Sequence, residues 1–299
     1  MPKIQYKTIN FRQSSLDLIR LVNEVISEYK TQGYELTLRQ VYYQLVARGY
    51  IPNNERSYKN IGNLINDGRL AGLIDWYAIT DRTRNLRGNS HWNTPSSVIA
   101  SAKYSYLLDK WDGQPNYVEV WVEKDALVDV VGQACRGLDV PYFSCRGYTS
   151  QSEMWSAAQR FLRQREREQR LIIHLGDHDP SGIDMSRDIQ ERLDMFGADV
   201  YVKRVALTME QIDFYNPPPN PAKITDSRCE RYIAQYGNES WELDALEPKV
   251  ITNLITQEVT AYRDEETFLQ VCNRENREKR ELQMLCDNYD DVVSYLMEG

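Results

Sequence analysis

Three carboxylates stand at positions that suit phosphate chemistry. Glu123 closes the apolar run in "YVEVWVEKDA", and Asp177 and Asp179 follow the apolar "LIIHL" in "LIIHLGDHDPSG". Alternate residues on an extended segment can point the same way, so both aspartates can face one ion. Oxygen donors of this kind suit Mg2+ or Mn2+, hard cations that keep several waters and act on phosphates. Pro180 suits a first helical turn, and the start of that helix also favours a phosphate. A second pair lies far upstream in "RQVYY", where Arg39 and Tyr43 are i,i+4 neighbours on a helix. A phenol beside a guanidinium could attack a phosphodiester while the cation braces the phosphate. Each feature alone is commonplace, since loop acids are more often solvated or capping. The weight lies in three carboxylates at one edge of one sheet.

The elements that must carry these residues read in two blocks. Leu16, Ile19, Val22, Val25, Ile26 and Tyr29 recur at helical spacing, and Gly33 stops that helix. A second helix opens with the capping box "TLRQ" and runs to about Gly49. A third, "RSYKNIGNLINDG", is followed by "LIDWYAIT", which alternates like a strand, and by the basic loop "DRTRNLRG". Three helices, a strand and a loop match a winged helix over residues 1–95. A helix from about Ser96 to Trp111 and a turn, residues 96–115, connect it to the second block. There, strands and helices alternate over residues 116–260, which predicts an α/β domain with a parallel sheet. Ligands of such sheets bind beyond the carboxyl ends of the strands, where Glu123, Asp177 and Asp179 fall. Residues 261–299 read as charged helix.

On the second helix, Leu38, Val41, Tyr42, Leu45 and Val46 share the apolar face. This makes Tyr42 the core residue and Tyr43 the exposed one. His174, inside an apolar strand, reads as packed core, and His178 as an outward-pointing spacer. Arg146 in "CRGYTS", with Lys59, Arg82, Arg84 and Arg87 in the front block, are candidate phosphate contacts. Glu242 and Asp244 in "SWELDALEP" are further acids, equally readable as helix-surface residues.

The chain has 299 residues, 41% hydrophobic and 27% charged, enough to bury a core. No apolar run approaches the ~18 residues of a membrane span, and the first residues lack a signal-peptide pattern. Five scattered cysteines without a C-x-x-C pair suggest reduced thiols in a cytosol and speak against a zinc ribbon. The net charge of −8 divides unevenly: residues 1–110 carry +6 and the remainder −14. A basic module beside a carboxylate-rich one suits a polyanion-binding protein.

A glutamate at one strand end and "DxD" at a later one resemble the Toprim fold of topoisomerases, bacterial primases and the overcoming-lysogenization-defect nucleases. "VEKDA" and "DHDPSG" together look most like the A subunit of topoisomerase VI and its meiotic double-strand-break relatives. That family places a winged helix with an "R-D-x-[FY]-Y" motif before its Toprim domain, and "RQVYY" is the matching segment, with Gln40 in place of the usual acid. The resemblance spans roughly residues 35–250. It implies Mg2+ held by Glu123, Asp177 and Asp179, with Glu242 or Asp244 supporting a second metal, and a covalent phosphotyrosyl link to double-stranded DNA through Tyr43. It also implies a homodimer in which one subunit's tyrosine meets the other's metal site. No G-x-x-x-x-G-K-[ST] nucleotide loop occurs, so any ATP-driven step needs a separate ATPase subunit. The expected setting is the cytoplasm, at the nucleoid when DNA-bound. Two other readings stand beside this one: a hydrolytic Toprim endonuclease with a structural Tyr43, and a non-catalytic DNA-binding protein.

Overall fold

The structure is a computed structural model describing residues 3–79, 89–222 and 228–298. Three helices form the front of the chain: α1 (Gln13–Thr31), α2 (Leu38–Ala47) and α3 (Glu55–Leu70). Each starts or stops for a local reason. The Thr37 hydroxyl accepts from the Gln40 amide while the Gln40 side chain accepts from the Thr37 amide, which is the capping box read from "TLRQ". Asn54 caps α3 by accepting from the Ser57 amide. Gly33 follows α1 at φ +83°, a conformation that disfavours a side chain. Val22, Val25, Tyr29, Val41, Leu45 and Ile61 pack into one core between the helices.

The strand expected in "LIDWYAIT" is absent over its described part, residues 73–79, which forms turns. Side chains compete there for the backbone. Asp75 accepts from the Tyr77 amide, and Arg69 donates to the carbonyls of Trp76 and Ile79. Single bridges join Gln5 to Ala71 and Leu36 to Ile79 in place of a hairpin. The connecting helix α4 (Pro95–Ser105) also ends earlier than its sequence pattern predicts. Beyond it, acidic side chains take the backbone donors: Glu275 accepts from Leu108, Asp139 from Lys110, and Asp109 from Trp111.

The second block is an α/β unit built on four parallel strands: β1 (Asn116–Val122), β2 (Tyr142–Ser144), β3 (Gln169–Leu175) and β4 (Tyr201–Ala206). Their order is β2-β1-β3-β4. Alternating residues feed opposite faces. Val118, Val120, Val122, Leu171 and Ile173 pack on the side covered by α5 (Val128–Leu138) and α10 (Pro248–Ala261). Trp121 and Ile172 pack on the side covered by α6 (Gln151–Leu162) and α7 (Pro180–Met195). The proline-rich stretch is irregular except for Asn220–Pro221 (β5), reached after α8 (Met209–Tyr215). After α9 (Cys229–Tyr236), β5 pairs with Glu239–Ser240 (β6). The chain closes with α11 (Glu265–Asp287), packed on α4, and α12 (Tyr289–Glu298). All five cysteines are free thiols. Among the described residues no helix is long and apolar enough to cross a membrane.

Candidate functional site

Strands β1 and β3 are direct neighbours, with Val122 opposite Leu175, so Glu123 and Gly176 leave the sheet side by side. The loop that follows β3 folds back onto Glu123, whose Oε2 accepts from the Asp177 amide at 2.9 Å. Two glycines make that closeness possible. A β-carbon on Gly176 would lie 2.9 Å from Glu123 Oε2, and one on Gly182 would lie 2.2 Å from the Asp177 carbonyl oxygen. From beneath, Arg204 on β4 donates to the carbonyls of Gly176, Asp177 and Gly182 at 2.6–3.0 Å. Two loop carbonyls and one in the first turn of α7 thereby share one guanidinium, which also sets a positive charge beside the acids.

Asp179 is the N-cap of α7. Its Oδ1 accepts from the Gly182 amide at 2.6 Å and from the Ser181 hydroxyl at 3.0 Å. The helix start expected to receive a phosphate is thus already capped by a carboxylate. His178, expected to point outward, is buried instead. It exchanges both backbone hydrogen bonds with Trp241, and its Nδ1 meets the Tyr232 hydroxyl at 2.8 Å. That bridge to a distant segment is invisible in local periodicity. Burial, with Arg204 nearby, pushes the His178 imidazole down to about 4. His174 is core, as its strand predicts, and is pushed down to about 3 by burial.

The His178–Trp241 bridge carries Glu242 and Asp244 into the site, where the Leu243 amide donates to Asp177 Oδ1 at 2.8 Å. Lys124, next to Glu123, reaches into the middle of these acids. Its Nζ lies 2.9 Å from Asp177 Oδ2 and 3.0 Å from Asp244 Oδ1, and it also contacts Glu242 Oε2. Arg39 closes the far side, 2.8 Å from Glu242 Oε2 and 2.9 Å from Asp244 Oδ2. Five carboxylates, Glu123, Asp177, Asp179, Glu242 and Asp244, therefore converge with three cations, Lys124, Arg39 and Arg204. Burial first, and then the neighbouring charges of Asp177 and Asp179, push the Glu123 carboxyl up to about 7. Burial raises Asp177 as well.

Tyr43 is buried, not exposed, at 5% accessibility. The helical wheel places it off the core face of its own block, but α2 is covered on its second side by the short 3-10 turn Leu243–Ala245. Gln40, Val41, Tyr42, Tyr43, Gln44 and Leu45 are all buried as a result. Arg39 lies 5.7 Å from the Tyr43 ring centroid. Burial and Asp244 raise the Tyr43 phenol, while Arg39 and a hydrogen bond from Asn220 lower it. Tyr42 is buried too, and its hydroxyl donates to Asn53 Oδ1 and accepts from the Asn54 amide. A cavity of about 340 Å3 opens at this junction, lined among others by Arg39, Tyr42, Tyr43, Asp179, Trp241 and Glu242.

The structure thus brings Tyr43, Arg39, Glu123, Asp177, Asp179, Glu242 and Asp244 together. Of the expected phosphate contacts, Lys59 is on α3 paired with Glu55, and Arg146 pairs with Asp125 beyond β2. Arg82, Arg84 and Arg87 lie outside the described residues. Sequence reasoning overlooked Lys124 and Arg204. Both had a signal: Lys124 directly follows the strand-end Glu123, and Arg204 stands with Lys203 in the middle of the strand "YVKRVA".

Among the described residues, no three His, Cys, Asp or Glu side chains are grouped as ligands around one point. The reason is visible in the hydrogen bonds: Lys124, the Asp177 and Leu243 amides and the start of α7 already engage carboxylate oxygens. The donor chemistry nevertheless fits a hard divalent ion. All the donors are oxygens, and five carboxylates gather there with three cations. Comparison with protein families, with curated proteins and with solved structures finds no match to this chain.

Proposed function

We propose that this chain cleaves DNA phosphodiesters with the help of a divalent cation, in the manner of the topoisomerase VI A subunit that its motifs resemble. On this reading the front helices act as a winged helix and the α/β unit as a Toprim domain. The observation that carries it is one cavity lined by Tyr43, Arg39 and Asp179, residues from both blocks of the chain. Glu123, Asp177 and Asp179 would hold Mg2+ or Mn2+. When bound, the ion supplies positive charge to the transferring phosphoryl group and the leaving oxygen.

The chain's own groups do the rest. Tyr43 Oη forms the new bond to phosphorus, the bond from phosphorus to a deoxyribose oxygen breaks, the phenol proton departs and the leaving oxygen gains a proton. Arg39 beside the ring favours the phenolate. Lys59, Arg82, Arg84, Arg87 and Arg146 would contact the DNA backbone without reading its sequence. A homodimer and a separate ATPase subunit belong to this reading as expectations of the resemblance.

The burial of Tyr43 favours a second reading, hydrolysis, in which water attacks and Tyr43 holds the two blocks together. Denaturing gels of cleaved DNA, run with and without protease, decide between them. A shifted band that protease collapses means a protein–DNA adduct, and free ends mean hydrolysis. No cleavage with Mg2+ or Mn2+ would overturn both and leave a DNA-binding protein.

A further inference from the structure

Lys124 sets its ammonium among three carboxylates of the site. Its ammonium has three donors and no acceptor, and it meets one oxygen from each of Asp177, Glu242 and Asp244. The acids come from two separate segments, and the backbone delivers the lysine from the end of β1, directly after Glu123. Asp244 is fully buried, so little water screens the cluster. Arg39 completes the enclosure from the other side. A divalent ion placed among the same oxygens would sit against the ammonium and be repelled. The formal charges agree: five carboxylates against Lys124, Arg39 and Arg204 leave −2, which a single divalent ion neutralises.

We propose that Lys124 is a built-in substitute for a second metal ion, so that the chain binds one divalent cation, at Glu123, Asp177 and Asp179, and not two. This rests on the metal-dependent reading given above. It separates this chain from a site where Glu242 and Asp244 serve a metal. Their partner here is a side chain, and the ion count is set by the sequence.

The test is a count of bound Mn2+ by electron paramagnetic resonance, made on the full chain as wild type, Lys124→Met, Lys124→Arg, Glu123→Gln and Asp177→Asn. Counts are taken above an Asp177→Asn background, because Asp177 borders both positions and its loss leaves only scattered surface carboxylates, and Glu123→Gln marks the first ion. The expected result is one ion in the wild type, one in Lys124→Arg and two in Lys124→Met. Two ions in the wild type, or one in a folded Lys124→Met, would overturn the proposal while leaving the metal-dependent reading intact. No ion sensitive to Glu123→Gln would overturn the metal reading, and this proposal with it. If Lys124→Met does not fold, the wild type and Lys124→Arg decide: a count of one in each supports the proposal and two in either ends it.

Discussion

Glu123 places an acid where the folded chain resists its charge. Its carboxyl is pushed from the usual range up to about 7, so between about pH 4.5 and 7 the folded state holds a proton that the unfolded state has lost. The Glu123 contribution to the stability of the metal-free protein should therefore fall as the pH rises through that window. Glu123→Gln should remove the loss, being more stable than wild type in a chelator at pH 7.5 by up to about 3 kcal/mol and no different at pH 4. Parallel thermal melts of the two proteins at both pH values check this. Asp179 needs a finer instrument, because it caps α7 as well as facing the cavity. Asp179→Ala should lose both cleavage and about 1 kcal/mol of stability. Asp179→Asn can still cap, so it should lose cleavage alone. Equal stability losses in urea titrations of the two would contradict the capping role. Removing the Tyr43 hydroxyl leaves the ring to pack. Tyr43→Phe should cost about 1 kcal/mol for its lost hydrogen bonds and abolish every covalent adduct; adducts persisting in that variant would rule Tyr43 out as the nucleophile. Tyr42→Phe should keep the chemistry, because its hydroxyl serves Asn53 and Asn54.

The elements that set these residues in place were legible to different depths. Helices α1 to α3 follow from periodicity, the cap of α2 follows from Thr37 and Gln40, and the parallel sheet follows from strand–helix alternation. Glu123, Asp177 and Asp179 were found for the same reason, since each lies just past an apolar strand. What stayed hidden depends on pairing across long sequence distances. The bridge from His178 to Trp241 buries a histidine that its neighbours present as solvated. The turn Leu243–Ala245 covers the side of α2 that a lone helix would show to water, and with it Tyr43. Asp75 and Arg69 dissolve a strand that alternation alone predicts. Strand β3 also predicts a pH response. His174 joins Ser186 of α7 at 2.8 Å and is held neutral, its imidazole pushed down to about 3 by burial. The unfolded chain takes up that proton near pH 6.5 and the folded one does not, so the His174 contribution to stability should fall steadily as the pH drops below about 6.5, opposite in sign to that of Glu123. In His174→Gln the slope of stability against pH between 6.5 and 4 should be shallower; an unchanged slope would show that other groups govern acid unfolding.

At the scale of the whole molecule, charge and architecture divide along the same line. The front carries +6 through residue 110 and the remainder −14. DNA should therefore bind through the front block despite the negative total. Neutralising Lys59, Arg82, Arg84 and Arg87 together should weaken binding equally on unrelated sequences and flatten the dependence of affinity on salt. An unchanged salt slope would place the contacts elsewhere. The junction between the blocks, where Arg39 reaches Glu242 and Asp244 and one cavity holds both Tyr43 and Asp179, has a genetic consequence. Tyr43 and Asp179 line one cavity of a single polypeptide, whereas the resemblance implies a tyrosine that meets the partner's acids; if the cavity is the working site, two defective alleles, one encoding Tyr43→Phe and the other Asp177→Asn, should fail to rescue each other when co-expressed. Interchain sites would behave otherwise, since a mixed pair would regain one intact centre.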